Sequence, residues 1–264
     1  MTEGEQESTW NAVAAASTPN WYLDPLVAKQ KREEHLHLLR RMADLHPQPR
    51  RVLKTDLFEE AFGDDQLLGD FPAAPRLLSG IDVAPLIAAK SQQRFTFLRG
   101  NLAAADLRNL PFRDASFDWI VSNSSLDHFA SQQELESALR ELCRLLAPGG
   151  ILLVTFDNPG NPLYHALRFA ARQGWAPFPL GQTLSLSDTH RLVKGQGLTV
   201  QSDHYFLFNP RGLSTAVFLL ARKLLGHHAD PCIAALLRCF ALLENLPGKR
   251  WSACFHATLC RKLN

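Results

Sequence analysis

The stretch Asp106-Leu-Arg-Asn-Leu-Pro-Phe-Arg-Asp-Ala-Ser-Phe-Asp-Trp-Ile-Val-Ser-Asn, ending at Asn123, decides how the rest of the chain is read. Its second half, Phe117 to Ser122, is apolar apart from Asp118 and the closing Ser122. A short apolar run of this kind suits a strand covered on both faces. Downstream, Gln132 to Leu146 carries Leu135, Leu139, Leu142, Leu145 and Leu146 at helical spacing. Pro148-Gly149-Gly150 stops that helix, and Ile151 to Phe156, apolar but for Thr155, is a second strand.

Upstream the same alternation continues. Arg51 to Lys54 and Leu77 to Asp82 read as strands, and Phe95 to Leu98 as a further strand element. Phe58 to Leu68 and Pro85 to Gln93 read as helices between them. Strands alternating with helices predict an α/β fold, a mostly parallel sheet with helices on both faces. Ligands of such sheets bind beyond the carboxyl ends of the strands, so function is sought just after each strand.

Further out, Trp21 to Met42 has a helical pattern, closed by Pro47 and Pro49, and forms an N-terminal helical cap (21–49). Residues 1–20, rich in Ser, Thr, Glu and Ala, read as a flexible tail. At the other end Ser187 to Lys194 reads as a helix, with Ser187 as its N-cap. Leu198 to Phe208 and Ala253 to Leu263 read as late strands. Between those strands lie two apolar helical segments, 214–226 and 231–246. The expected organisation is one domain over 21–264. Its cofactor-side core is 50–160 and its substrate-side half 161–264, with a helical insertion at 214–246 before the last strand.

Composition bounds the function. Hydrophobic residues make up 46% and charged residues 20%, an ordinary globular balance. The net charge of +2 gives no basic stripe for a polyanion, which argues against a nucleic-acid partner. The five cysteines form no CxxC pair, so no metal site is expected and the thiols are read as reduced. The start MTEGEQESTW lacks a basic and then apolar leader, and no run of about 18 apolar residues occurs. The expectation is a cytoplasmic protein without stable membrane insertion. Peripheral contact through the apolar helices of 214–246 stays open, beside a lid, a dimer surface or plain core packing.

The quoted stretch resembles the middle of class I S-adenosylmethionine-dependent methyltransferases. The family form is an Asp, then Leu-Pro-Phe, then Ser-Phe-Asp and an apolar strand. Leu146-Ala-Pro-Gly-Gly, followed by Ile151-Leu-Leu-Val-Thr, and Gly80-Ile-Asp-Val-Ala resemble two further family motifs in the same order. The resemblance covers roughly residues 50–160. It implies a Rossmann-like sheet and S-adenosylmethionine as cofactor. Asp82, with Val83 beside it, would accept hydrogen bonds from the ribose hydroxyls. Asp106 would accept from the adenine amino group, with Leu107 as a wall. Ser122 and Asn123, at the end of the fourth strand, would sit where methionine and acceptor meet. Asp118 would fix a turn away from the ligand.

The chain departs from the family in the first loop. An acid and Gly-x-Gly are usual there, because glycine lets the backbone approach the cofactor. This sequence has Val52-Leu-Lys-Thr-Asp-Leu-Phe-Glu-Glu-Ala-Phe-Gly, with Lys54 in place of the acid. Lys54, Thr55 and Asp56 could cradle the methionine end, Lys54 on its carboxylate and Asp56 on its ammonium. Alternatively the domain is a catalytically silent relative that serves as a binding or scaffold protein. The resemblance implies in-line methyl transfer to a small or medium-sized, partly apolar acceptor. His128 is the candidate base, since imidazole changes charge near neutral pH. Asp127, Asp157 and Asn158 are candidate acceptor contacts, with Tyr164, Trp175 and His204 ranked below them.

Overall fold

The computed structural model describes residues 3–17, 23–175 and 180–263. Seven strands form one sheet, in the order β3-β2-β1-β4-β5-β7-β6. They are β1 (Arg51–Thr55), β2 (Leu77–Asp82), β3 (Leu102–Ala104), β4 (Phe117–Asn123), β5 (Leu146–Asp157), β6 (Leu198–Phe206) and β7 (Phe255–Lys262). All neighbours pair in parallel except β7, which runs antiparallel between β5 and β6. The helices are α1 (Glu3–Ala16), α2 (Pro25–Leu45), α3 (Phe58–Phe62), α4 (Pro85–Arg94), α5 (Gln132–Leu145), α6 (Pro162–Arg172), α7 (Leu186–Gly195), α8 (Leu213–Leu225), α9 (Asp230–Ala241) and α10 (Lys249–Ser252).

The central strands explain the two-faced core. Successive side chains point to opposite faces, so a run with no polar interruption must be covered twice. Val52, Trp119, Val121, Ile151 and Leu153 join one cluster with α1 to α4 through Trp10, Leu38, Met42 and Ile87. Leu53, Ile120, Leu152 and Val154 join the other, with α5 and α7 through Leu135, Leu139, Leu142 and Val193. A capping box closes the start of α5: Ser131 accepts from Glu134 N–H, and the Glu134 carboxylate accepts from Ser131 N–H. Asp118 lies away from the strand ends. It accepts from Arg50 N at 2.6 Å and Arg51 N at 2.8 Å and so fixes the start of β1.

Four expectations are corrected. Residues 3–16, read as part of a flexible tail, form α1, and Trp10 and Ala14 are buried in the core. Helix α1 has only Trp10 and Val13 as large apolar residues, so its sequence carries little periodic signal. Phe95–Leu98 contains a 3-10 turn, and the edge strand is Leu102–Ala104 beyond Gly100, whose φ is +90°. Helix α3 ends at Phe62 rather than Leu68, because the Glu60 carboxylate, which accepts from Leu67 N, draws the following chain back. The N-terminal cap helix starts at Pro25, behind the N-cap Asp24; Trp21 and Tyr22 lie outside the described residues.

The segment 214–246 does two things at once. Phe218 of α8 and Ile233 and Leu237 of α9 pack on Val27 of α2 in a third apolar cluster. Thr215, Ala216 and Leu219 of α8 turn instead toward a cavity at the strand ends.

Candidate functional site

The site lies beyond the carboxyl ends of β1, β2, β4 and β5. There Asp56 takes the left-handed conformation, with φ 67°. Aspartate tolerates this region better than most residues, and Asp56 makes the turn that a glycine would otherwise make. Its Oδ1 accepts from Phe58 N at 2.8 Å, which locks the turn. Asp82, at the end of β2, lies against it. Its Oδ2 accepts from Leu57 N and its Oδ1 from Ala84 N, both at 2.9 Å. Each oxygen keeps a second lone pair. Burial, followed by the neighbouring Asp56 charge, pushes Asp82 up to about 7. Burial pushes Asp56 up to about 6.

Two cavities meet here. The first is lined by Asp82, Val83, Asp106, Leu107, Ser125 and Phe129, with Gln6 and Trp10 of α1 closing it. Its free volume is about 50 Å³, because α1 narrows it. The second, of about 430 Å³, is lined mainly by apolar side chains from α2, α6 and α8. Its polar wall includes Lys31, Asp127, Asp157, Asn209 and Arg211. Trp10, Asp56, Phe58 and His128 line both cavities.

The expected residues divide clearly. Asp56, Asp82, Val83, Asp106 and Leu107 line the first cavity, Asp127 and Asp157 the second, and His128 stands between them. Lys54 does not face either cavity. It is fully buried, pairs with Glu60 at 2.8 Å and donates to the Asp56 carbonyl. Thr55 is buried and shares a 2.7 Å hydrogen bond with Ser125. Ser122 and Asn123 are buried within the strand end, and the cavity walls come from Ser124 and Ser125 instead. Ser124 has φ 54°, so the chain turns one residue later than the sequence suggested. Asn158 ties loops together: its Nδ2 donates to Arg250 O and Ala253 O, and its Oδ1 accepts from Gly160 N. Tyr164 is buried, and His204 pairs with Glu34.

Asp106 is already engaged. The Arg108 guanidinium donates to both of its carboxylate oxygens, and a further hydrogen bond comes from Arg108 N at 2.8 Å. Asp127 is buried, and its charge is disfavoured by burial and then by Asp157, which pushes it up to about 6. Its Oδ2 accepts from Asp157 N, and its Oδ1 lies 3.9 Å from His128 Nε2. Asp157 pairs with Arg211, whose guanidinium sits 4.8 Å from the Phe255 ring centroid. The Trp10 ring meets the His128 ring edge-on at 4.7 Å.

Sequence reasoning missed Trp10, Phe58 and Arg211. It also missed Gly181, which seats the His128 loop. Gly181 N donates to Asp127 O at 2.9 Å, and Gln182 N to Phe129 O at 2.7 Å. A Cβ at 181 would stand 2.3 Å from Phe129 O and 2.6 Å from the His128 carbonyl carbon. Both are backbone atoms and cannot swing away. Gly181→Ala is therefore expected to displace His128; were His128 the base that the family resemblance implies, turnover would fall by about tenfold or more while S-adenosylhomocysteine affinity changed less than about threefold. Single-turnover kinetics with a calorimetric Kd separate the two; equal loss of both would count against a positioning role.

Comparison with known proteins agrees with the fold. Residues 61–154 match the family model described as methyltransferase domain. A malonyl-(acyl-carrier protein) O-methyltransferase of Halorhodospira halophila is 34% identical over 146 residues, which cover 54% of this chain and 46% of that protein. The chain thus spans about half the length of this curated relative. The N-methyltransferase NodS of Bradyrhizobium japonicum WM9, solved in complex with S-adenosyl-l-homocysteine, superposes with TM-score 0.57 at 14% identity, covering 98% of this chain and 99% of NodS. The (4+2)-cyclase SpnF superposes with TM-score 0.56 at 18% identity over 97% of this chain and 92% of its own. The seven-stranded sheet has the fold of these solved structures, and residues 61–154 within it are similar to a methyltransferase domain.

Proposed function

We propose that the protein transfers a methyl group from S-adenosylmethionine to a small or medium-sized, partly apolar acceptor. One observation carries this reading: a carboxylate suited to a ribose and a mainly apolar chamber lie on either side of a shared wall of Trp10, Asp56, Phe58 and His128. The bound cofactor would supply an activated, electrophilic methyl group. Asp82 fits its ribose, because it lines the cavity and each carboxylate oxygen, with one N–H donor, can accept a further hydrogen bond. Val83 and Leu107 would flank the adenine, and Asp56 would meet the methionine ammonium. Helix α1 would have to shift to admit the adenosyl group, since the cavity is narrow with Trp10 and Gln6 in place.

On the acceptor side, Trp10 and Phe58 exclude water from the junction. His128 is placed to take a proton from an acceptor oxygen or nitrogen, with the Asp127 carboxylate beside it. Arg211, held by Asp157 and the Phe255 ring, would orient a polar end of the acceptor. Positioning of this kind supplies much of the rate when the donor is already activated.

A silent binding protein is the second reading. It is favoured by Lys54 being turned inward and by SpnF, a cyclase on the same fold. Calorimetry with S-adenosylhomocysteine separates the two. The methyltransferase reading expects one-to-one binding coupled to proton release. Two hydroxyl donors favour the ionised form of Asp82, which burial has pushed up to about 7. Affinity should therefore strengthen as pH rises through about 7 and then level off. The free protein should behave oppositely. A carboxyl whose pKa is raised by folding stabilises most at low pH, and that contribution is lost as pH rises through about 7. Absence of binding across this range would leave the silent reading.

A further inference from the structure

Among the described residues, thirteen of the fifteen large hydrophobic side chains left exposed lie between Leu163 and Trp251; the other two are Phe97 and Leu263. They are ordered rather than scattered. On α8, Leu213, Val217, Leu220 and Leu224 follow the i, i+4, i+7, i+11 spacing of a single stripe, and are 66%, 48%, 57% and 72% exposed. The opposite side of that helix buries Phe218 against α2. The stripe is therefore a second apolar face, separate from the one that packs. On α9, Cys232, Leu236 and Cys239 repeat the pattern, exposed beside the buried Ile233 and Leu237.

Charge follows the same surface. Residues 163–175 and 213–251 hold seven Lys and Arg against two acids, which leaves 21 against 24 for the rest of the chain. One of the seven, Arg222, is spent on Asp24 and Asp230. Arg172, Lys223, Arg238, Lys249 and Arg250 are exposed, and none pairs with a carboxylate among the described residues. Two tryptophans, Trp175 and Trp251, stand exposed on the same segments, and Arg250 lies 4.4 Å from the Trp251 ring centroid. Apolar stripes, indole rings and unpaired cations together are what an anionic bilayer surface accepts. No helix among the described residues is long and apolar enough to cross a membrane, so contact would be with the surface.

The larger cavity shares residues with this exposed set. Trp175, 75% exposed, and Leu219 line the cavity and also belong to the exposed apolar set. We infer that the surface formed by α6, α8, α9 and α10 seats on an anionic lipid bilayer and that the acceptor is a lipid-soluble molecule entering the larger cavity from the bilayer. The seat stands on the surface alone; the entry route rests on the methyltransferase reading above.

The test is sedimentation of the full chain with vesicles of phosphatidylcholine, and with vesicles in which roughly a third of the lipid is phosphatidylglycerol. Binding to the anionic vesicles that weakens with salt is expected, with little binding to the neutral ones. The double variant Leu220→Glu/Leu224→Glu should bind at least about tenfold more weakly, while its S-adenosylhomocysteine affinity is unchanged, since neither side chain lines a cavity. Lys249→Glu/Arg250→Glu should lose the preference for anionic lipid. Failure of the folded protein to bind anionic vesicles would overturn the inference. So would a stable dimer that Leu220→Glu/Leu224→Glu dissociates, because a second copy would then cover the face. Vesicle binding without any S-adenosylhomocysteine binding would remove the entry route and the methyltransferase reading, and leave the seat.

Discussion

Asp82→Ala is expected to weaken S-adenosylhomocysteine binding by about 1.5–3 kcal/mol, roughly ten- to 150-fold, through loss of a charge-assisted acceptor for the ribose. The same change also harms the free protein. The Asp82 carboxylate satisfies Leu57 N and Ala84 N, and its removal leaves two buried N–H groups without their acceptor. Affinity must therefore be measured well below the melting temperature of the variant, with its folded fraction established by circular dichroism. Asp106→Ala provides the contrast. Arg108 already claims both Asp106 oxygens, so less of that carboxylate is available to an adenine, and the loss there should be smaller. An Asp82→Ala protein that is folded and binds as tightly as the parent would place the ribose elsewhere. An Asp106→Ala loss larger than that of Asp82→Ala would reverse the assignment of the two ends.

What the sequence made legible follows from which interactions are local. Asp82 and Asp106 follow short apolar runs or a recognisable motif, and strand ends in a parallel sheet fall on one edge. Their position at that edge could therefore be read from the sequence, and both line the first cavity. Asp118 was separable from them for the same reason, since it sits at the start of its strand. Lys54 was misread because strand alternation alone does not name a partner. Its partner, Glu60, comes from the turn of helix that follows, six residues on.

The missed residues depend on contacts distant in sequence. Trp10 sits on a helix with little apolar pattern, yet it crosses the strand ends and touches His128. Arg211 follows β6, and its place beside Asp157 exists only because β7 returns antiparallel between β5 and β6. Gly181 matters through a Cβ it does not have, against a loop some fifty residues earlier.

Lys54→Met is the variant expected to cost most stability. The Lys54 ammonium and the Glu60 carboxylate are both fully buried and 2.8 Å apart. Removing one partner strands the other charge in the interior, at a cost of about 3–5 kcal/mol. The damage would spread, because Glu60 also accepts from Leu67 N and Lys54 also donates to the Asp56 carbonyl. The pair thus braces the turn in which Asp56 holds its left-handed conformation. The double change Lys54→Met/Glu60→Gln separates charge from packing. Glutamine can still accept from Leu67 N and carries no charge to strand, so the double variant should recover most of the loss. Denaturant unfolding of the four proteins gives the coupling directly. A large coupling with S-adenosylhomocysteine binding largely retained in the double variant would mean that Lys54 serves the site only by holding the turn. A Lys54→Met protein within about 1 kcal/mol of the parent would show that the interior relaxes around Glu60 and that the pair is not needed to fix the loop.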